Sequence, residues 1–383
     1  MIASSKLWRV TRLACLPLFV FIASGCAPFT TPVETESATE SAAPPPILGN
    51  YSRMNDTARF LAGMSGGGNA RLESLRTTPA WQAHAKRMDQ LFLYFDRGYL
   101  PKISNFRTEL GTLTSPGVLF YPFGGPDYLF ARGFFPGAQN YVLVGLEGTD
   151  SLPDFDVLDD ATIQTGLNGL STSLKSNTGA SYFVTKDMRV DLETTAFRGT
   201  LPLLLSMVAR SGQSIQSVTP VGIDASGALT SRSQGAACPG WHIVAGGKNL
   251  YYFKEDLSND TLSGDKRLFT FVQSLGAPVT FVKSASYLMH HDNFSVIRNF
   301  VMNDSLAILQ DSSGVPYRLL NSSGLSLSLY GNYTSPLDIF QEYYQADLAA
   351  AYRDRSPHPV KSIDFGVGYL RNSANACLIL ARR

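Results

Sequence analysis

Charge is thin in this chain, and none of it is gathered. Of 383 residues 16 % are charged, with 32 Lys and Arg against 31 Asp and Glu and a formal net charge of +1. No basic block interrupts this balance, so the clustered cations that nucleic-acid binding requires are missing and no nucleic-acid partner is expected. Histidine is scarce too. His84, His242 and His358 stand alone, and only His290 and His291 are adjacent. Neighbouring residues face opposite sides of a strand, or diverge by about 100° on a helix, so that pair is a poor chelate and no metal site is expected. No repeat of 20 to 50 residues is visible, which excludes a solenoid. A long apolar run is also missing. The N-terminal one, Leu13 to Ala23, has eleven residues, short of the about 20 that cross a bilayer.

That short run fits a different role. Lys6, Arg9 and Arg12 precede it, and Ala23-Ser24-Gly25-Cys26 follows. Positive residues, a short apolar core and small residues make a secretory leader. Small residues directly before a cysteine resemble the bacterial lipobox, which implies cleavage before Cys26 and a diacylglycerol on its thiol. The alternative is an ordinary leader with a chance cysteine. Each buried methylene contributes about 0.8 kcal/mol, and one chain anchors only marginally, so the two or three chains of a mature lipoprotein would hold firmly. Ala27 follows Cys26, where the aspartate that favours inner-membrane retention is absent. The resemblance implies an outer-membrane lipoprotein facing the periplasm. Residues 1–25 are then the leader and residues 26–50 a lipidated tether. The tether is rich in Ser, Thr, Glu, Ala and Pro and too poor in bulky apolar groups to fold. Residues 51–383 form a single α/β domain.

Four cysteines are present. Cys15 leaves with the leader and Cys26 takes lipid. Cys238 and Cys377 remain, and an oxidising compartment allows them to pair or to stay as separate buried thiols.

Periodicity orders the rest. Thr57–Gly63 and Trp81–Phe95 read as helices. Val118–Phe123 is a strand, Gly124-Gly125-Pro126 a turn, and Asp127–Phe135 a short helix that Asp127 is placed to cap. Tyr141–Leu146 is the next strand, which makes a βαβ unit with parallel strands. Helices follow at Ala161–Leu174, Leu201–Arg210 and Ser295–Asn303, with one long helix at Leu337–Arg353. Strands follow at Ile215–Ile223, Val279–Val282, Leu325–Tyr330 and Cys377–Ala381. Trp241–Ala245 and Leu250–Lys254 form a hairpin through Gly246-Gly247. This alternation implies an α/β three-layer, Rossmann-like fold. Its sheet would be mainly parallel, with antiparallel additions near the C-terminus.

The order strand, glycines, helix, strand, acid resembles the first unit of Rossmann-like folds, including class I methyltransferases. Glu147 lies 22 residues after Gly125, close to the spacing at which an acid meets a ribose hydroxyl. G-x-G-x-x-G is absent, however, and Pro126 removes a backbone N–H that would face a phosphate. Nucleotides and S-adenosylmethionine are also cytoplasmic. No cofactor is therefore expected. Gly63-Met64-Ser65-Gly66-Gly67 matches G-x-S-x-G, but helix-like residues precede it where a nucleophile elbow needs a strand, so it reads as a loop.

The strings Y-P-F-G-G-P-D, Y-V-L-V-G-L-E, K-S-A-S-Y-L-M-H and Q-D-S-S-G-V-P resemble a family of uncharacterised bacterial lipoproteins or exported proteins. The resemblance spans roughly residues 51–383 and implies one domain but no catalytic residue.

Three readings of function follow. The first is a non-enzymatic, lipid-anchored protein that binds a partner or small ligand. Its site would use Gly124, Gly125, Asp127 and Glu147, with Lys283 and Asp311 converging from later loops. The second is an envelope hydrolase or transferase using Ser284 or Ser286, His290 or His291, and Asp292 or Asp311. Without export, a methyltransferase-like domain returns. The third is an assembly role through exposed aromatics.

Overall fold

In the computed structural model the described residues are 51–180, 195–232, 237–369 and 376–383. The leader, Cys15, Cys26 and the tether lie outside them. The chain divides into Met1–Ser41 and Ala42–Arg383, and every described residue belongs to the second unit.

Eleven strands make one sheet among the described residues. They are β1 Val118–Tyr121, β2 Asn140–Gly145, β3 Ile215–Ile223, β4 Leu229–Ser231, β5 Gly240–Ala245 and β6 Lys248–Lys254. The others are β7 Val279–Val282, β8 Ala307–Gln310, β9 Ser326–Gly331, β10 Val360–Lys361 and β11 Cys377–Arg382. Their order across the sheet is β10-β9-β11-β8-β7-β1-β2-β6-β5-β3-β4. The middle run, β8-β7-β1-β2-β6, is parallel throughout. β1 and β2 pair as the βαβ reading requires, Val118 opposite Asn140 and Tyr121 opposite Leu143. Uninterrupted apolar runs such as VLFY suit this middle position, because a central parallel strand is covered on both faces.

Antiparallel strands flank both edges, which corrects the expectation that they gather near the C-terminus. β11 and β9 join beyond β8, but β5, β3 and β4 come from mid-chain and join beyond β6. The cause is local. Gly246 and Gly247 both have positive φ, at 56° and 73°. Such a two-residue turn closes a hairpin whose twist matches its strands, so β5 must lie antiparallel to β6.

The main helices are α1 Tyr51–Leu61, α2 Ala70–Arg76, α3 Pro79–Tyr94, α4 Leu100–Leu110 and α5 Tyr128–Phe134. They continue with α6 Asp160–Ala180, α7 Leu201–Arg210, α8 Arg267–Leu275, α9 Ser295–Asp304 and α10 Ala346–Asp354. Strand alternation divides the interior into two apolar clusters. Leu119, Tyr121, Tyr141 and Leu143 join buried residues of α1 and α3 to α7 in one. Val118, Phe120, Val142 and Val144 join α8, α9 and α10 in the other.

The long helix expected over Leu337–Arg353 is broken. A 3₁₀ turn covers Asp338–Tyr343, and α10 starts only at Ala346. Gln345 sits between them in extended backbone, at φ −105° and ψ 95°. Its buried amide accepts from the Tyr317 N–H at 2.8 Å and donates to the Ser312 carbonyl at 2.9 Å. Those bonds satisfy buried backbone groups of other segments, and they outweigh helical periodicity at this point.

Cys238 and Cys377 are both free and buried, so the pairing considered above does not occur. Cys377 opens β11 and Cys238 precedes β5, six positions away in the sheet. At about 4.8 Å per strand that is roughly 29 Å, whereas a disulfide needs Cα atoms within about 7 Å.

α3 carries a pH-sensitive element of the core. Thr78 caps it by accepting from the Trp81 N–H, with Pro79 in the first turn. His84 on the inner face is fully buried and meets the Leu61 carbonyl at 2.9 Å. Burial holds its pKa down at about 4, against 6.5 in the unfolded chain. Between those values the unfolded state takes up a proton that the folded state refuses, so stability is fully present above pH 6.5 and falls toward pH 4. Urea titrations across this window should lose on the order of 3 kcal/mol to this group. His84→Gln should show a shallower acid limb.

Candidate functional site

A cavity of about 430 Å³ opens where the parallel strands end. The loop after β1 contributes Phe123 and Gly125, and the end of β2 contributes Val144 to Glu147. Glu255, Asp256 and Leu257 follow β6, and Ser284, Ala285 and Ser286 follow β7. Leu288, Phe294, Ile339, Phe340 and Tyr369 close its sides. The position has a topological cause. From β1 the sheet grows one way through β2 and β6, and the other way through β7 and β8. The loops at such a reversal diverge and leave a crevice at the carboxyl ends of the strands.

Backbone strain concentrates here. Phe123, Ser284, Ser286 and Tyr287 have φ between 51° and 64°, four of the six non-glycine residues with positive φ among those described. Each such residue costs roughly 1–3 kcal/mol unless its surroundings enforce it. The enforcing contacts are visible. The Ser284 N–H donates to Asp311 Oδ2 at 2.9 Å. The Tyr369 hydroxyl donates to the Ser284 carbonyl at 2.9 Å and accepts from the Ser286 N–H at 3.1 Å.

The six residues expected to form a site do converge on this edge, but they divide into two groups. Gly125 and Glu147 line the cavity. Gly124, Asp127, Lys283 and Asp311 stand behind its wall. Lys283 Nζ lies 2.9 Å from Asp127 Oδ2, with both side chains 1 % exposed. The Tyr121 hydroxyl donates to the same oxygen at 2.9 Å, and the Phe130 N–H donates to Asp127 Oδ1 at 3.2 Å. Asp127 thus caps α5, as its place before the helix implies, while neutralising a lysine from β7. Burial, and then the Asp127 charge, push the Tyr121 hydroxyl pKa well up. Lys283 Nζ also sits 4.4 Å from the centroid of the Phe130 ring, a further favourable contact for a desolvated cation.

Gly124 and Gly125 form the turn of the βαβ unit and no phosphate cradle. The Gly125 N–H is spent on the Val144 carbonyl at 3.1 Å. The space a phosphate would use is filled by Glu147, whose Oε2 would lie 3.1 Å from a Cβ at Gly125 and 2.2 Å from one at Gly145. A Cβ at Gly124 would strike the Tyr121 ring at 2.4 Å. Glu147 accepts from the Tyr252 hydroxyl at 3.0 Å. Asp311 Oδ1 accepts from the Ser313 N–H and hydroxyl at 2.9 and 2.5 Å. Burial raises its pKa, against the pull of those bonds.

The serine, histidine and acid of the hydrolase reading do not assemble. The buried Ser284 hydroxyl has no hydrogen-bond partner, and the Ser286 hydroxyl meets Tyr369 at 2.8 Å. His291 Nε2 meets the Tyr343 hydroxyl at 2.8 Å. The His290 ring packs edge-on against Tyr287 and Tyr343, and burial holds its pKa down at about 4. Asp292 is fully exposed, 3.7 Å from Arg298. Ser65 lies exposed in the loop between α1 and α2, where Arg59 holds its carbonyl. Among the described residues no group of three His, Cys, Asp or Glu could hold a metal, and no helix is long and apolar enough to cross a membrane.

Sequence reading missed Glu255, Asp256, Phe340 and Tyr369. The first two were within reach, since acids directly after an apolar strand mark a strand end at a possible crevice. Phe340 and Tyr369 arrive from distant segments and carry no local signal.

The Asp127–Lys283 pair makes a testable claim. Lys283→Met leaves a buried carboxylate uncompensated, and Asp127→Asn leaves a buried ammonium; each should cost about 3–5 kcal/mol. The double variant should recover most of that loss in urea titrations. Additive losses would show that the two charges are not coupled.

No family model, no curated protein and no solved structure matches the chain.

Proposed function

We propose that this protein is a lipid-anchored component of the bacterial cell envelope, tethered through Cys26. In this reading its α/β domain binds a small ligand in the strand-end cavity without transforming it. The reading takes the scaffold as three-layer and Rossmann-like. The unbroken parallel run and the two apolar clusters on opposite sheet faces support that. The leader, the lipobox-like Ala23-Ser24-Gly25-Cys26 and the polar tether support the anchored location.

One observation carries the binding role: the cavity of about 430 Å³ at the switch between β1 and β7. Ligand sites commonly fall in this size range and at this place in α/β sheets. Its chemistry narrows the ligand. The walls are mainly apolar, Glu147, Glu255 and Asp256 supply carboxyl groups, and no Lys, Arg or His lines it among the described residues. Burial raises the pKa of Glu255. Such a lining favours a neutral or cationic molecule with an apolar body and opposes phosphates. The unassembled serine, histidine and acid support binding over hydrolysis.

Two measurements test this. Intact mass of the full chain extracted from membranes of a Gram-negative host should show a diacylglyceryl or triacyl adduct on Cys26. An unprocessed cytosolic chain would sink the envelope reading and return S-adenosylmethionine as a ligand to assay. In nanodiscs, a panel of neutral and cationic amphiphiles should raise the melting temperature. Ile339→Asp, at a position 77 % exposed on the cavity wall, should weaken apolar hits about tenfold, or 1.4 kcal/mol. Hits insensitive to Ile339→Asp, or turnover of any of them, would overturn the binding role assigned to this cavity.

A further inference from the structure

A second cavity, of about 270 Å³, lies on the face of the sheet covered by α3 to α7. It sits where α3 passes into α4 through a π-helical turn at Phe95–Tyr99. Its apolar walls include Phe92, Phe95, Leu100, Leu129 and Met207. Its polar lining includes two arginines, Arg132 from α5 and Arg210 at the end of α7. Arg210 is tied on two sides: its Nε donates to the Ala62 carbonyl at 2.8 Å, and Nη1 meets Asp89 at 2.7 Å. Its third nitrogen, Nη2, is buried without a hydrogen-bond partner, and so is Arg132 Nε.

Buried polar groups are almost always satisfied, and here two guanidinium groups that each keep one unpartnered nitrogen belong to residues lining one cavity. The surrounding charge favours an anion. Arg107, whose Nε donates to the Gly133 carbonyl at 2.8 Å, and Lys248, whose Nζ donates to the Ala138 carbonyl at 2.8 Å, both stand within the field of Arg132. Two carboxylates oppose them: Asp89 is paired with Arg210, and Asp96 lies within the field of the same arginine. Asp96 lines the cavity from an exposed position, and a second negative charge on a ligand would meet it. The π-turn adds a further sign, since such turns recur at functional sites.

We propose that this cavity binds a small organic monocarboxylate, its carboxylate completing Arg132 and Arg210 and its apolar body lying against Phe92, Phe95, Leu100, Leu129 and Met207. Guanidinium groups match carboxylates in shape as well as charge. The site is separate from the strand-end cavity, so either can fail alone.

Calorimetry on the full chain in nanodiscs, with 3-phenylpropionate, hexanoate, inorganic phosphate and phenethylamine as probes, decides it. Both carboxylates should bind, phosphate more weakly and the amine not at all. Arg132→Gln should weaken the carboxylates about tenfold or more. Asp96→Asn should tighten them about threefold or more by removing a like charge, a gain that a misfolded variant cannot imitate. Failure of both acids to bind at about 10 mM to natively folded protein would mean a water-filled cavity and overturn the proposal. So would phosphate binding as tightly as the acids, indifference to Arg132→Gln, or weaker binding in Asp96→Asn.

Discussion

The buried pair of Asp127 and Lys283 is the contact on which the strand-end edge depends. Each group alone would be costly there, since both are shielded from water. Together they satisfy one another, and the rest of the first turn of α5 forms around them. Asp127 caps the helix, Tyr121 donates to the same carboxylate, and the Phe130 ring faces the ammonium. The pair thereby joins the turn after β1 to the end of β7, the two strands between which the chain reverses its direction of growth. The loops on either side of that joint are free to diverge, and the larger cavity is the space between them.

A second set of contacts shapes that space. Asp311, at the end of β8, accepts from the Ser284 N–H, and the Tyr369 hydroxyl links the Ser284 carbonyl to the Ser286 N–H. These bonds hold the unfavourable backbone of Ser284 and Ser286. The strained loop presents Ser284, Ala285 and Ser286 to the cavity, while Asp311 stays behind them. Residues that sequence order marked as one site therefore have two duties: Gly125 and Glu147 form surface, and Asp127, Lys283 and Asp311 hold it in place.

Much of the architecture was legible because it rests on local physics. The apolar runs of β1 and β7 announce strands. The place of Asp127 announces a helix cap. Gly246-Gly247 announces a hairpin, and the strand–turn–helix–strand order announces a parallel pair. Other features were not legible, because distant residues impose them. Gln345 breaks a helical pattern to satisfy the backbone of Ser312 and Tyr317. Strand order keeps Cys238 and Cys377 apart, although composition alone allows them to pair. The arginines of the second cavity come from α5 and α7, and nothing near either in sequence marks it out.

By itself the sequence determined the alternation of strands and helices, the cap of α5 at Asp127 and the hairpin turn at Gly246-Gly247. Each follows from neighbours along the chain, through periodicity, capping and turn chemistry. Only the tertiary structure decided that Gly125 faces the Glu147 carboxylate, that Lys283 belongs to Asp127, and that one cavity is lined by carboxyl groups and another by two arginines and Asp96. Those outcomes depend on which buried groups meet across the fold, where desolvation makes pairing obligatory and sequence distance is irrelevant.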